Sequence, residues 1–317
     1  MSEHPHASPA KLALGFAAVY ILWGSTYLGI RFAVASIPPL LMAGVRHLVA
    51  GVILYAIMRL AGQPKPTRLH WKNATLLGGL LLLGGNGLVS VAEQTVSSGV
   101  AALIVAAVPF WMVLLNAADR RVAPKVSVLA GLVLGIIGLA ILVLPTGKAA
   151  PDHVDSFGVL MLIAATFSWG VGSLYSPKAA LPASTFLGIG MEMIAGGALL
   201  FGMGLVSGEG VGFHLDAVTL KSLLALAYLI VFGSLFGFSA YVWLLKHTTP
   251  ARASTYAFVN PVIAVLLGWA LAGEAFTARI ALAGGIIVAG VCTILYFGTA
   301  KSKAPAVAQT APAKDPA

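Results

Sequence analysis

The chain has 317 residues, of which 59% are hydrophobic and only 9% are charged. So few charges exclude a soluble globular domain and indicate a polytopic membrane protein. The formal net charge of +9 would suggest a nucleic-acid partner for a soluble protein, but here the basic residues lie in short gaps between apolar runs. The only cysteine, Cys292, excludes an internal disulfide and a cysteine metal cluster. We therefore expect no cofactor, no metal and no nucleic-acid partner.

Ten apolar runs follow a short polar tail, and each is close to the ~20 residues that a helix needs to cross a bilayer. The sequence therefore predicts an all-α polytopic membrane protein with ten transmembrane helices. The runs lie at roughly 12–35, 38–60, 73–92, 98–118, 126–145, 156–176, 184–206, 220–245, 251–273 and 278–298.

Two halves of five helices each follow from this division. The predicted organisation is an N-terminal tail at 1–11, a first repeat at 12–145, an outer linker at 146–155, a second repeat at 156–298 and a disordered, Ala/Pro/Lys-rich tail at 299–317. A shift of 146 residues places Trp23 on Trp169, and a shift of 152 places Pro109 on Pro261. Because each half has an odd number of spans, the second copy enters the membrane upside down. Inverted repeats are typical of alternating-access transporters.

Helices four and nine each carry a proline near the middle, Pro109 and Pro261. Proline removes a backbone donor and clashes with the carbonyl four residues back, so each is expected to break its helix and free the carbonyls of Val105 and Ala257. In lipid such carbonyls need protein or cavity water. The two matched breaks predict a binding region at mid-membrane depth that these helices flank and gate.

Four stretches of the chain carry a family resemblance. They are WGSTYLGIRFA at 23–33, PPLLMAGVRHLVAG at 38–51, GNGLVSVAEQTVSSGVAALIVAAVPFW at 85–111 and VNPVIAVLLGWALAGEAFTARIALAGGIIVAGV at 259–291. They resemble the ten-helix EamA branch of the drug/metabolite transporter superfamily, and the order GNGL, EQ, SSG, P resembles its YedA-like exporters. The resemblance implies two inverted five-helix repeats and export of small metabolites, often amino acids or related amphiphiles.

The chain departs from the family at one acidic position. Many members carry an acidic residue after the first proline helix as well as after the second, but here Val122 stands where the second repeat has Glu274. We expect Glu274 to cap a helix end and not to couple transport.

Arg46 and Glu192 occupy the same repeat position, eight or nine residues into their spans. That depth is about 12–14 Å at ~1.5 Å per residue, close to the midplane of a ~30 Å hydrocarbon core. Charged groups there usually face a polar pathway. In the functional interpretation Arg46 attracts a substrate carboxylate, and Glu192 binds an amine or a transported proton. In the structural interpretation both brace neighbouring helices.

The third span carries a polar stripe of Asn86, Ser90, Glu93 and Gln94, which its spacing places on one helix face. We expect Asn86, the deepest, to contact substrate, and Glu93 and Gln94 to serve a gate near the outer exit. Hydrogen bonds between helices are the alternative for the whole stripe.

Further candidates for substrate binding come from spans one, six, eight and nine. Tyr256 and Asn260 are one turn apart just before Pro261, whereas span four offers mostly alanine and valine, so the site should be asymmetric with span four as an apolar wall. Ser234, Phe238 and Tyr241 lie on a second stripe, and Trp23 and Trp169 repeat before glycine. The tryptophans fit either core packing or a hydrophobic or aromatic substrate.

A secondary transporter of the bacterial cytoplasmic (inner) membrane is the best fit to these features. Its partners would be a small-molecule substrate, the lipid bilayer and, if a proton gradient drives transport, protons. The chain would function as a monomer or a homodimer. The alternatives are a proton-independent facilitator of hydrophobic or aromatic solutes and an intramembrane enzyme. An enzyme is disfavoured because the sequence has no HExxH zinc signature, and its aspartates all fall in predicted loops.

Lysine and arginine predict the orientation. With the N-terminus inside, fourteen of these residues fall on the inner side and four on the outer side, leaving Arg46 within a span. Reporter fusions at residue 150 and at the C-terminus should therefore give an outer and a cytoplasmic signal, respectively. A cytoplasmic signal from the fusion at 150 would contradict the prediction.

Overall fold

The computed structural model describes residues 8–120, 126–144, 155–247 and 256–298, and these are helical with no β-strand among them. Within these ranges seven helices are long and apolar enough to cross a membrane, and three shorter apolar helices bring the number to ten. This confirms the predicted fold class. Residues 1–7 of the predicted N-terminal tail, residues 146–154 of the linker and the predicted C-terminal tail lie outside the described residues, and α1 begins at Pro9, within the predicted N-terminal tail. The helices are α1 Pro9–Ala33, α2 Pro39–Leu60, α3 Arg68–Ala92, α4 in two pieces at Ser98–Val105 and Val108–Arg120, α5 Val126–Val143, α6 Ser156–Tyr175, α7 Thr185–Val206, α8 in three consecutive pieces at Leu220–Tyr228, Leu229–Phe236 and Gly237–His247, α9 Tyr256–Ala272 and α10 Ala278–Gly298.

Short polar side chains begin many of the helices. Ser8, Thr67, Ser184 and Thr219 each accept a hydrogen bond from a backbone N–H in the first turn that follows, and Asp155 does the same for α6. Such caps satisfy donors that have no partner inside the helix. They explain why the apolar runs begin as helices at these residues.

Both third helices of the repeats contain a stretch of π-helix. In α3 it spans Gly78–Gly87, and in α8 it spans Leu229–Phe236. A shift of 152 residues brings the start of the first stretch to within one residue of the second. The sequence predicts ordinary α-helices here, so the widened turns are a finding of the structure. Such insertions are frequent at functional sites because they redirect side chains locally.

Equivalent helices of the two repeats pack against each other in opposite directions. A β-carbon added at Gly44 of α2 would lie 2.7 Å from the backbone nitrogen of Phe201 in α7, and one at Gly190 would lie 3.0 Å from that of Tyr55. The repeat shift of 146 converts the first pair into the second. The same shift links Gly197–Leu48 with Gly51–Ile194. In α5 and α10 the repeat shift of 152 links Gly138–Ile287 with Gly135–Gly290. These paired contacts show the inversion of the two copies.

The first helix of each repeat packs on the other repeat. α1 contacts α8 and α9, and α6 contacts α3 and α4. Large apolar side chains remain exposed along the outside of the bundle, including Leu14, Ile57, Val133, Leu224 and Trp269. This apolar exterior is the surface expected to face lipid.

The two prolines differ in their effect. α4 is interrupted by a turn at 106–107, directly before Pro109, as predicted. α9 continues through Pro261 without interruption, so the predicted break in the ninth span is wrong within 256–272. Pro261 lies in the second turn of the described helix, and Ala257, the residue whose carbonyl it leaves without a donor, lies in the first turn. So close to the start of the helix, a proline removes few intrahelical hydrogen bonds.

Alanine substitutions on α7 test the close packing of α2 and α7. Gly197→Ala would place a methyl 2.6 Å from the Leu48 backbone nitrogen, whereas Gly202→Ala meets nothing within 4 Å. Overpacking costs about 1–3 kcal/mol, so Gly197→Ala should lower the melting temperature of the detergent-purified protein. Gly202→Ala should leave that temperature equal or higher, because alanine favours helix. Equal effects of both substitutions would contradict the packing.

Candidate functional site

Arg46 is buried between the two π-helical stretches. Its side chain is 3% exposed. The Nε atom donates to Ser234 Oγ of α8 at 3.0 Å, and Nη1 donates to Asn86 Oδ1 of α3 at 3.5 Å. Arg46 therefore joins the third helix of one repeat to the third helix of the other.

The partners of Arg46 are neutral. Within the described ranges no carboxylate forms an ion pair with it, and the bond to Asn86 is at the outer limit for a hydrogen bond. A guanidinium has five N–H donors in a fixed fork. A buried cation that is only partly satisfied is costly, so this arrangement suits an anionic acceptor such as a carboxylate.

Trp23, Tyr241 and Tyr256 form an aromatic cluster. The ring centroid of Trp23 lies 5.1 Å from each tyrosine ring, and the tyrosine rings are 5.7 Å apart, with Tyr256 edge-on to both. Trp23 also donates through Nε1 to the carbonyl of Gly233 at 3.3 Å. Three of the predicted substrate-binding residues are thus brought together from α1, α8 and α9.

Gly233 connects this cluster to Arg46. A β-carbon at Gly233 would lie 3.1 Å from Arg46 Nη2, while the Gly233 carbonyl accepts the Trp23 bond. A cationic group and an aromatic surface therefore meet at one turn of α8. The side chain of Phe238, which the sequence places nearby, is outside what the structure describes.

Asn260 adds a polar group one turn after Tyr256. Its side chain is 6% exposed, and Oδ1 has no hydrogen-bond partner among the described residues. Its backbone carbonyl faces Gly24, next to Trp23. Asn260 is therefore placed beside the aromatic cluster, with an acceptor still available.

Among the described residues, no hydrogen bond or ring contact links Trp169 or Glu192 to Arg46 or to the aromatic cluster. Trp169 packs on Gly85 of α3, where a β-carbon would lie 2.7 Å from the indole, and this contact repeats that of Trp23 with Gly237. Glu192 is half-buried, and no hydrogen bond or ion pair links it to Arg46 within the described residues. The repeat counterpart of Ser234 is Leu82, which cannot hydrogen-bond to a carboxylate.

Glu93 and Gln94 lie at the end of α3 on the predicted outer side. Gln94 is exposed, whereas Glu93 is completely buried and neither carboxylate oxygen has a partner among the described residues. Arg31 donates to the backbone carbonyls of both residues, at 2.9 Å for Gln94. No local pattern in the sequence predicts a role for Arg31, because only the fold brings the end of α1 against the end of α3.

Glu274 caps α4. Its carboxylate accepts hydrogen bonds from the backbone nitrogens of Ser98 at 2.8 Å and Gly99 at 3.1 Å. This confirms the expected capping role. These hydrogen bonds also hold the segment after α9 against the start of α4, although Ser98 and Glu274 are 176 residues apart in the chain.

Comparisons with known proteins agree with this architecture. A model of the EamA-like transporter family matches residues 10–144 and 156–296. A protein of Escherichia coli named "Uncharacterized inner membrane transporter YedA" is 40% identical over 281 residues, covering 87% of this chain and 88% of that protein. A "Probable amino-acid metabolite efflux pump" of Salmonella typhimurium is 28% identical, with 90% and 95% coverage.

A solved crystal structure shares the fold. It superposes with a TM-score of 0.59 at 20% identity and covers 90% of this chain and 96% of that chain.

Substitution of Glu274 tests its assignment as a cap. Glu274→Ala removes both acceptors and should destabilise the protein by about 0.5–2 kcal/mol, seen as a lower melting temperature in detergent. Glu274→Gln keeps one acceptor and should have a smaller effect, with transport retained. A Glu274→Gln protein of normal stability that does not transport would contradict the assignment.

Proposed function

The chain belongs to the EamA-like transporter family, and we propose that it is a secondary exporter of small amphiphilic metabolites that carry a carboxylate. Its relatives are named transporters, and the E. coli relative is named as an inner membrane protein. The proposal therefore starts from a multi-pass transporter of the inner membrane. To this we add a substrate class, the direction of transport and a mechanism.

The buried Arg46 carries the proposal. Two of its donors are used by neutral acceptors, and one of those bonds is long. Arginine binds carboxylates in a bidentate, charge-assisted geometry that neither a serine nor an asparagine can match. A substrate carboxylate would complete the shell of the guanidinium and offset the cost of burying it.

The aromatic cluster supports an apolar part of the substrate. Trp23, Tyr241 and Tyr256 present ring faces and edges beside Arg46, and Asn260 offers a free acceptor. Binding sites for small molecules commonly combine such apolar walls with a few polar groups that fix orientation. Aromatic and branched amino acids have this chemistry, and a relative is named for efflux of amino-acid metabolites.

The position of the proposed site supports alternating access as the mechanism. Arg46 contacts α3 of one repeat and α8 of the other, while Trp23 reaches α8 and α9 from α1. Rocking of one inverted repeat against the other would change these contacts and expose the site to each side in turn. The distribution of lysine and arginine supports an orientation with both the N- and the C-terminus in the cytoplasm.

The competing interpretation is that Arg46 only braces α3 against α8. A brace would be favoured by short bonds that use most of the donors, or by an ion pair. The structure has one bond of ordinary length and one at 3.5 Å. The brace and the binding site predict different substrate dependence for variants of Arg46.

Counterflow in proteoliposomes distinguishes the binding-site interpretation of Arg46 from the brace interpretation. The substrates to be tested are L-phenylalanine, L-tryptophan and L-leucine, together with the amide of each, which lacks the carboxylate. Arg46→Gln should reduce counterflow of the acids about tenfold or more, because a hydrogen bond to a charged group contributes about 1.5–3 kcal/mol. Counterflow of the amides should change little.

Arg59→Gln, on the same helix α2, serves as the matched control and should transport like the parent protein. Equal loss of acids and amides in Arg46→Gln would favour the brace. Unchanged transport of the acids in that variant, or no counterflow of any tested substrate by the parent protein, would overturn the proposal.

A further inference from the structure

We propose that Glu93 binds a proton and the ammonium group of a zwitterionic substrate alternately, so that each substrate molecule leaves in exchange for one entering proton. This rests on the proposed export function and extends it to a driving force and a substrate class. The sequence favours Glu192 as the group that binds the transported proton or an amine, whereas the contacts in the structure favour Glu93.

The burial of Glu93 is the first observation. The side chain is 0% exposed, and both carboxylate oxygens lack a hydrogen-bond partner among the described residues. The Arg31 side chain donates to the backbone carbonyl of Glu93 and not to its carboxylate. An ionised carboxylate removed from water without donors is strongly disfavoured, and such groups take up a proton instead. The free site is thus built to hold Glu93 in its neutral form.

The charged groups around Glu93 do not neutralise it. Arg31 of α1, Arg46 of α2 and Glu274 beyond α9 act on it electrostatically, Arg31 also through its backbone N–H, which is too far or too poorly aligned for a hydrogen bond, and Tyr27 of α1 is close enough to interact. Each of the three charged groups is engaged elsewhere. Arg31 binds two backbone carbonyls, Arg46 binds neutral side chains and Glu274 caps α4. The Glu93 carboxyl group is therefore left available for a proton or a cation.

The position of Glu93 fits a group that exchanges protons with the predicted outer side. The next residue, Gln94, lines a surface cavity of about 450 Å³ together with Val34, Pro38 and Glu209. In the other direction the polar stripe of α3 continues inward. Ser90 donates to the carbonyl of Asn86 at 2.9 Å, and the Asn86 side chain accepts from Arg46. Glu93 thus lies between an outer cavity and the proposed carboxylate site.

The charges decide the direction of coupling. A substrate carboxylate on Arg46 alone would add negative charge near Glu93 and favour its protonated form. A substrate ammonium next to Glu93 favours the ionised form, because an opposite charge at close range stabilises it. A zwitterion supplies both groups, and its ammonium takes the place of the proton. Proton and substrate then compete for one carboxyl group, as antiport requires.

The cycle balances in protons. With the site open outward, the substrate leaves and Glu93 takes a proton from outside water. The site reorients with Glu93 protonated, and on the cytoplasmic side the entering zwitterion places its ammonium at Glu93 while the proton passes to cytoplasmic water. One proton enters for each substrate molecule that leaves. No covalent bond to the substrate is made or broken.

Proteoliposome transport of L-phenylalanine tests this inference. For the parent protein, an imposed proton gradient opposite to substrate flow should accelerate net transport. In Glu93→Gln this acceleration should be lost, while counterflow at high phenylalanine stays measurable with a raised half-saturation concentration. Glu93→Asp keeps an ionisable group and should keep the acceleration. The exposed Asp216, changed to Asn, is the matched control on the predicted outer side and should behave like the parent.

Three results would overturn the inference while leaving export intact. They are counterflow by the parent protein without acceleration by the gradient, normal acceleration in Glu93→Gln, or loss of acceleration in Glu192→Gln with Glu93→Gln unaffected. No counterflow by the parent protein would instead contradict the proposed function.

A measurement on the parent protein alone guards against a variant that fails to fold. In weak buffer, adding L-phenylalanine to the purified protein should release protons, whereas 3-phenylpropionate, which lacks the ammonium, should not. Phenylalanine binding without proton release would also overturn the inference.

Discussion

A guanidinium inside a membrane must find its hydrogen-bond acceptors within the protein, because lipid offers none. Arg46 finds two, and both lie on π-helical stretches, Ser234 in α8 and Asn86 in α3. The widened turns, the glycine at 233 and the aromatic cluster are arranged around this one charge. Because neutral acceptors satisfy it only in part, the site is suited to a carboxylate that arrives from outside the protein.

The two repeats share a backbone plan and differ in chemistry. Glycine contacts related by the repeat shifts build the same interfaces twice, and Trp23 on Gly237 is matched by Trp169 on Gly85. Polar recognition is not matched, since Leu82 stands where the second repeat has Ser234 and Glu192 stands where the first has Arg46. The shared, inverted backbone of the two repeats is suited to alternating access. The differences in side chains between the repeats create a single site with one orientation.

Much of the fold could be predicted from the sequence, because apolar length sets the ten helices and an odd number of spans in each half requires inversion. Arg46 stood out since a charge at that depth is rare. The π-helical stretches and the continuity of α9 through Pro261 depend on packing that local sequence does not encode. The burial of Glu93 without a hydrogen-bond partner for its carboxylate among the described residues depends on contacts between residues far apart in the chain.

The most direct test of the account is an experimental structure with L-phenylalanine bound. We predict the ligand carboxylate within hydrogen-bond distance of the Arg46 guanidinium, its ring against Trp23, Tyr241 and Tyr256, and its ammonium directed toward Glu93. A ligand bound elsewhere, with Arg46 still bonded only to Ser234 and Asn86, would contradict it.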